Sequence, residues 1–152
     1  MRLVLYTGKG GVGKTTTAAA TAVCAAARGV DTLVVSADSA HSLGDVLGQP
    51  LDDPAARLAP VAIAERLHAL EVDARVAMER HWGRVRDYLV SLFRYQGIEG
   101  VVAEELALLP GAEELATLLA VEELAASGRF GLVVVDCAPT GSTLRLLTLP
   151  EV

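Results

Sequence analysis

A glycine-rich loop near the amino terminus constrains this chain more than any other feature. It runs Gly8-Lys9-Gly10-Gly11-Val12-Gly13-Lys14-Thr15-Thr16 and contains both lysines of the sequence, whereas every other basic residue is arginine. An ammonium is a compact charge on a flexible stem, and a guanidinium is a wide planar fork. The loop fits the pattern G-x-x-x-x-G-K-[S/T], whose backbone N–H groups surround the phosphates of a bound nucleotide. It therefore predicts a P-loop.

Individual positions of the loop have predicted roles in nucleotide binding. Its glycines let the backbone curl so that N–H groups point inward at phosphate oxygens. Lys14 is predicted to reach the β- and γ-phosphates of ATP, and the Thr15 hydroxyl to ligate Mg²⁺. Thr16, one step further along, is predicted to donate to the α-phosphate. The positive end of the following helix lies under the same anion.

The surrounding sequence predicts an α/β fold with a mostly parallel sheet flanked by helices. A helix is predicted over Thr15–Arg28, closed by Gly29. Strands alternating with helices favour parallel pairing through right-handed crossovers. We therefore expect a single P-loop ATPase domain over residues 1–152, with a helical insertion at about 74–127 between the third and fourth strands. Four segments are predicted as strands: Arg2–Tyr6, Asp31–Ser36, Leu67–Asp73 and Phe130–Asp136.

The insertion shows apolar residues at helical spacing in three successive stripes. The first ends at Gly97, the second before Pro110-Gly111 and the third at Gly128. These helices either pack only on the sheet and on each other, or also form a groove for a partner. The sequence leaves both interpretations open. The stripes consist of Met78, Trp82, Val85, Leu89 and Leu92, then Ile98, Val101, Val102, Leu106 and Leu109, then Leu115, Leu118 and Leu119.

Two aspartates and one glycine are predicted to complete the site. Ligands of parallel α/β sheets bind beyond the carboxyl ends of the strands, where Asp38 and Asp136 both lie. Asp136 is predicted to hold the Mg²⁺ shell, and Asp38 to orient the attacking water or accept its proton. Gly141 offers a backbone N–H near the γ-phosphate. Asp38 has an alternative interpretation as the N-cap of a short helix over residues 42–47, which Ser42 suits equally well.

Composition excludes several other classes of function. The net charge of −6 argues against nucleic acid as a partner. No stretch approaches the roughly 20 apolar residues of a membrane span, and no secretory signal precedes the first strand. Cys24 and Cys137 form no disulfide or metal pattern, so we expect a reduced, cytoplasmic protein.

The remaining polar residues have more ordinary interpretations. His41 is placed to report the nucleotide state, while His68 and His81 are predicted to be surface or packing residues. The glutamate pairs at 104–105, 113–114 and 122–123 are predicted to lie on solvated helix faces.

Three motifs together resemble one family. The first is the glycine-rich loop, which has an early lysine, Lys9. The second, Asp38-Ser39-Ala40-His41-Ser42, resembles a switch I segment, and the third, Asp136-Cys137-Ala138-Pro139-Thr140-Gly141-Ser142-Thr143-Leu144-Arg145, resembles a switch II segment. The chain is similar to the N-terminal part of ArsA-type ATPases, which comprise arsenical-pump and tail-anchored-protein-targeting ATPases. They belong to the deviant Walker A class, with MinD, ParA and nitrogenase iron protein.

The resemblance implies Mg²⁺-dependent ATP hydrolysis coupled to opening and closing of a homodimer around a client or anion. It implies that Lys9 crosses the dimer interface to the other subunit's nucleotide and that Asp38 positions water. It also implies that Asp136 holds Mg²⁺ and that the region of Gly141 senses the γ-phosphate. The insertion corresponds to client-binding helices, for a client protein or membrane partner that the sequence does not identify.

The chain also departs from the family pattern. Ser39, Cys137 and Ser142 replace proline, threonine and histidine. The insertion has no cysteine, so the thiolates that trivalent arsenic requires are missing and arsenite transport is disfavoured. Its single methionine is Met78, so the insertion lacks the composition of a methionine-rich groove.

Length raises two alternative interpretations. Family members are roughly twice this size, so we expect an incomplete domain with an unpaired apolar sheet edge. One alternative is therefore a truncated nucleotide-binding fragment without turnover. The other is a partition ATPase resembling MinD or ParA, which requires an amphipathic tail or a basic face.

Overall fold

The structure is a computed structural model that describes residues 1–38, 42–51, 58–97 and 112–137. These ranges contain five strands and four helices. In order they are β1 (Arg2–Tyr6), α1 (Lys14–Ala27), β2 (Thr32–Ser36), α2 (Leu43–Leu47), β3 (Val61–Ala64), β4 (Leu67–Glu71), α3 (Ala74–Tyr95), α4 (Ala112–Ala126) and β5 (Leu132–Asp136).

The strands form one sheet in the order β1-β5-β2-β4-β3. The pairs β1–β5, β5–β2 and β2–β4 are parallel, and the edge strand β3 runs antiparallel to β4. The predicted α/β fold with a mostly parallel sheet is therefore confirmed. The predicted number of strands was wrong, because Val61–Ala64 adds an edge strand. The helices α3 and α4 consequently lie between the fourth and fifth strands rather than between the third and fourth.

Alternating side chains of the strands supply two cores, one on each face of the sheet. On one face, Leu33, Val35, Val133 and Val135 pack against α3 and α4. On the other face, Val34 and Val134 pack against α1 and α2. Both faces of β2 and β5 are covered, which explains why these strands read as continuous apolar runs.

The helix α3 packs on the first of these faces with both buried and half-buried side chains. Asp73 caps its N-terminus by accepting hydrogen bonds from the amides of Arg75 and Val76. The helix ends before Gly97, as predicted, and Gly97 has a left-handed φ of 77°. Ala77, His81 and Val85 are buried, with Met78, Trp82 and Leu89 half-buried beside them.

The helix α4 buries small residues rather than the predicted leucine stripe. Leu115, Leu118 and Leu119 are half-buried. The residues that α4 buries are Ala112, Ala116, Thr117, Ala120 and Val121. Because these side chains are small, the helix can approach its neighbours closely. The predicted second stripe, from Ile98 to Leu109, lies outside the described residues.

Two ion pairs join α3 to α4. Arg80 Nη2 lies 2.6 Å from Glu123 Oε1, and Arg84 Nη2 lies 2.8 Å from Glu122 Oε2. These glutamates remain about half exposed, but their pairing with α3 was not predicted. Exposed pairs of this kind contribute roughly 0–1 kcal/mol each, so they orient the helices more than they stabilise them. Glu113 is exposed and Glu114 half-buried, whereas the pair at 104–105 lies outside the described residues.

His81 makes the contact between α3 and α4 sensitive to pH. Burial lowers the pKa of His81, while Glu123, 3.5 Å from its Nε2, opposes that shift. The folded state therefore prefers the neutral imidazole, so the unfolded chain binds more protons below pH about 6.5. We expect the free energy of unfolding to fall as the pH drops from 7.5 to 5.5, by up to about 1.4 kcal/mol for each unit of lowering. In urea titrations, His81→Gln should reduce this loss, and an unchanged pH slope would contradict the assignment.

Two further features of the described residues concern the edge of the sheet and the lengths of the helices. Strand β1 lies at an edge of the sheet, and Leu3 and Leu5 are 48% and 42% exposed there. None of the described helices is both long enough and apolar enough to span a bilayer.

Candidate functional site

The carboxyl ends of four parallel strands are aligned at one edge of the sheet. The pairing places Tyr6 beside Asp136, Asp136 beside Ser36, and Ser36 beside Glu71. Backbone hydrogen bonds continue just past this row, from Ala37 N to Asp136 O at 2.9 Å and from Cys137 N to Tyr6 O at 3.0 Å. Segments leaving β1, β2 and β5 therefore begin side by side, as the topology rule predicted.

The glycine-rich loop connects β1 to α1 at this edge. Gly11 and Gly13 have φ values of 73° and 86°, in the left-handed region that glycine adopts without a Cβ penalty. Gly10, which was predicted to assist the same curl, lies outside that region. Gly13 is the N-cap of α1, which has no side-chain cap and no acidic residue in its first turn. The positive end of α1 is thus available to an anion.

The two lysines of the loop occupy different positions. Lys14 Nζ donates to Lys9 O at 3.2 Å, so its ammonium lies within the curve of the loop. The Lys9 side chain is exposed, as are Val12 and Thr16. Lys14 is thereby placed to meet phosphate from inside the loop, and Lys9 faces outward.

Asp136 lies behind the first turn of α1. Its Oδ2 accepts a hydrogen bond from Thr15 Oγ1 at 2.6 Å, although the two residues are 121 positions apart. The side chain is almost fully buried, and Oδ1 has no hydrogen-bond partner among the described residues. Burial raises the pKa of Asp136, an effect that the Thr15 hydrogen bond and Lys14 oppose and that Asp38 reinforces. A buried carboxylate with an unpaired oxygen requires a compensating charge.

Magnesium fits this pair of residues. Mg²⁺ prefers hard oxygen ligands and binds through one or two protein groups plus phosphates and water. Thr15 Oγ1 and the unpaired Oδ1 of Asp136 provide such oxygens, and Lys14 adds positive charge for the phosphates. Among the described residues no cluster of three or more His, Cys, Asp or Glu side chains is placed to hold a metal by itself. The arrangement therefore suits a cation that arrives with a phosphate.

Asp38 follows β2 and approaches the same site. It is half-buried, its N–H donates to Ser36 Oγ at 3.4 Å, and its charge acts on Asp136. The N-cap of α2 is Ser42, so Asp38 does not cap that helix. Ser42 makes no side-chain cap hydrogen bond either, and its Oγ instead lies 3.4 Å from Thr15 Oγ1.

The other predicted residues divide into three groups. Gly141 and His41 lie outside the described residues. His68 and His81 are packing residues, since His68 meets the Phe130 ring at 5.4 Å and His81 is buried in the contact between α3 and α4. Burial raises the pKa of Cys137 to about 11, so this thiol stays protonated at neutral pH.

Two contacts of the site were not predicted from the sequence. One is the approach of Ser42 to Thr15, and the other is a hydrogen bond from Gly44 N to Glu71 Oε1 at 2.9 Å. The available signal was Glu71 itself, a carboxylate at the carboxyl end of a parallel strand, like Asp136.

Comparison with known sequences identifies one family over the whole chain. The profile of the family described as anion-transporting ATPase matches residues 1–152. A Chlorobaculum tepidum protein, whose name proposes it as an arsenical pump-driving ATPase, is 46% identical over 99% of the chain and 36% of its own length. Protein Rv2184c of Mycobacterium tuberculosis is 47% identical over 98% of the chain and 37% of its own length. The arsenical pump-driving ATPase of Escherichia coli is 34% identical over 97% of the chain and 25% of its own length. The chain thus spans well under half the length of these relatives.

Solved structures show the same fold at low sequence identity. The chain is similar to a protein in the MinC:MinD cell division complex of Aquifex aeolicus, with a TM-score of 0.53 and 21% identity over 93% of the chain and half of the other. It is also similar to the Cyanthece apo McdA structure, with a TM-score of 0.50 and 20% identity over 91% of the chain and 50% of the McdA chain.

Proposed function

This chain belongs to the anion-transporting ATPase family of ArsA proteins, and on that premise we propose that it binds Mg²⁺-ATP at residues 8–16 and hydrolyses it. The observation that carries the proposal is the hydrogen bond between Thr15 and Asp136 beneath the loop, with a buried carboxylate oxygen left unpaired beside it. Among the described residues, the Thr15 hydrogen bond and Lys14 offset that charge only in part, since burial still raises the pKa of Asp136, and a bound cation would offset it further.

The proposal gives each residue of the loop and of the strand ends a role. The amides at the start of α1 and the Lys14 ammonium hold the β- and γ-phosphates, and Thr16 donates to the α-phosphate. Thr15 and Asp136 hold Mg²⁺, with Asp136 acting through a water molecule. When bound, Mg²⁺ supplies neutralising charge to the β- and γ-phosphate oxygens. Asp38 orients the attacking water and accepts its proton. Gly141, which lies outside the described residues, is assigned its role as a sensor of the γ-phosphate from the resemblance of the switch II segment alone.

Coupling to a homodimer is the second part of the proposal. Lys9 and Val12 are exposed at the outer side of the loop, and Val12 is 65% exposed. An exposed lysine beside an apolar residue suits contact with the nucleotide of a second subunit, so the dimer closes on ATP and opens after hydrolysis. The helices α3 and α4 then transmit closure to an unidentified client protein or membrane partner.

Two alternatives make different predictions. The first alternative is a chain that binds nucleotide without turnover, and the chain spans 36% of the length of the Chlorobaculum protein. A partition ATPase resembling MinD or ParA is supported only by the shared fold. It requires binding to lipid vesicles or DNA, and the net charge of −6 disfavours DNA.

Turnover and mass test the proposal together. We expect the wild-type chain with Mg²⁺-ATP to release phosphate slowly and to double its mass in light scattering. Asp38→Asn should remove turnover while keeping the ATP-dependent dimer, because it removes the carboxylate that accepts the proton of the water but no group proposed to bind the phosphates. Lys9→Arg should remove both turnover and dimer while leaving ATP bound. ATP binding without dimer or turnover in the wild type would instead favour the inactive fragment.

A further inference from the structure

Glu71 occupies the same row of strand ends as Asp136 but has no assigned role in nucleotide chemistry. It ends β4 directly opposite Ser36, and Ser36 in turn lies opposite Asp136. Its side chain points to the next element along the sheet edge, where Oε1 accepts a hydrogen bond from Gly44 N at 2.9 Å. A charged acceptor makes such a hydrogen bond stronger than a neutral one. Glu71 therefore holds the first turn of α2 to the end of β4.

The short helix α2 depends on few contacts for its position. It has five residues, too few for a stable helix on its own. Leu43 is fully buried in the core beneath it, and Gly44 packs so closely that an added Cβ would lie 2.9 Å from Gln49 O. The hydrogen bond from Gly44 N to Glu71 Oε1 adds a polar contact to this packing. Losing it would leave α2 held mainly by the apolar packing of Leu43 and of the half-buried Leu47.

The position of α2 matters because Ser42 immediately precedes it. Ser42 Oγ lies 3.4 Å from Thr15 Oγ1, and Thr15 Oγ1 donates to Asp136 Oδ2. A side-chain and backbone path thus runs from Glu71 through Gly44 and Ser42 to the proposed magnesium ligands. A movement of α2 by a few tenths of an ångström would change the distance between the two hydroxyls.

We propose that Glu71 is a positioning residue that anchors α2, keeps Ser42 against Thr15 and thereby strengthens magnesium-dependent ATP binding. This inference rests on the proposed function for its ligand, but not for the anchor itself. Glu71 acts through Gly44 and Ser42 and does not touch the nucleotide. The substitution Glu71→Gln keeps an acceptor oxygen for Gly44 N, whereas Glu71→Ala removes it.

The anchor is tested without nucleotide. In Glu71→Ala we expect the Gly44 amide to exchange with solvent about tenfold faster than in the wild type, as loss of a hydrogen bond to a charged group predicts. Glu71→Gln should keep exchange within about threefold. Glu65→Ala, which removes an exposed glutamate from the turn at the other end of β4, is the matched control and should change nothing. Equal exchange in the wild type and Glu71→Ala would overturn the anchor.

The coupling is tested by measuring ATP affinity with Mg²⁺ and with EDTA. We expect Glu71→Ala to reduce the Mg²⁺-dependent gain in affinity about fivefold, with affinity in EDTA unchanged and Glu71→Gln within about twofold of wild type. Gly44→Ala, whose added Cβ would lie 2.9 Å from Gln49 O and would therefore shift the first turn of α2, should give the same loss with Glu71 intact. A merely structural role would weaken binding equally with and without Mg²⁺.

The outcomes separate the two claims. If the wild type binds Mg²⁺-ATP and both Glu71→Ala and Gly44→Ala keep its full Mg²⁺-dependent gain, the coupling is overturned while the proposed function stands. If the wild type shows no gain with Mg²⁺, the proposed function fails and the coupling fails with it.

Discussion

Replacing Lys14 with methionine is expected to lower the affinity of the chain for Mg²⁺-ATP by about a hundredfold, since two charge-assisted hydrogen bonds to phosphate are lost. Its ammonium lies inside the loop, 3.2 Å from the Lys9 carbonyl, where phosphate oxygens would replace that contact. Methionine keeps the length and the apolar stem of lysine but has no charge. Isothermal titration with ATP in the presence of Mg²⁺ measures the change.

The control for this experiment removes a positive charge from the opposite end of the same helix. Arg28 is the C-cap of α1 and is exposed, so Arg28→Met should leave the affinity within about twofold of wild type. If Lys14→Met binds Mg²⁺-ATP as tightly as Arg28→Met does, the phosphate site lies elsewhere in the protein.

The second large effect concerns Asp136, where stability and binding should change in opposite directions. Burial raises the pKa of Asp136, so the folded state binds the carboxyl proton more tightly than the unfolded chain does. The stability contributed by that protonated form is present at acid pH and is lost as the pH rises from about 3.8 through the folded-state pKa. At neutral pH the buried charge destabilises the chain without Mg²⁺. Asp136→Asn should therefore melt higher than wild type in EDTA and lose most of the Mg²⁺-dependent gain in ATP affinity.

Thermal melts across pH and Mg²⁺-ATP concentration test this reversal. The difference in melting temperature between Asp136→Asn and wild type in EDTA should grow as the pH rises from 4 and then level off. Saturating Mg²⁺-ATP should stabilise wild type more than the variant. Asp31→Asn, at an exposed position before β2, should change neither quantity. A variant that melts lower than wild type in EDTA at neutral pH would contradict the proposed origin of the effect.

Much of the fold was predictable because its central strands carry a strong local signal. The runs that became β2 and β5 are apolar and β-branched, since α-helices cover both faces of each. The edge strand Val61–Ala64 was missed because it is four residues long, half alanine and alternately exposed. Its place is fixed by antiparallel pairing with β4 rather than by local preference.

The location of the site could be predicted from a rule of sheet topology, whereas the individual side-chain contacts within it could not. The rule that ligands lie beyond the carboxyl ends of parallel strands places Asp136 near the loop, and the contact of Asp136 with Thr15 agrees with it. No local pattern states that Ser42 turns toward Thr15 instead of capping α2, or that Glu71 accepts from Gly44. These contacts depend on where tertiary packing places α2 against α1 and the end of β4.

The number and magnesium dependence of ATP sites on the wild-type chain test the central claim most directly. Equilibrium titration with ATP should give one saturable site per chain, with an affinity at least tenfold higher in Mg²⁺ than in EDTA, because Thr15 and Asp136 are expected to join the cation to the phosphates. Absence of saturable binding, or binding that Mg²⁺ does not tighten, would contradict the assignment of a magnesium-nucleotide site to this loop and strand end.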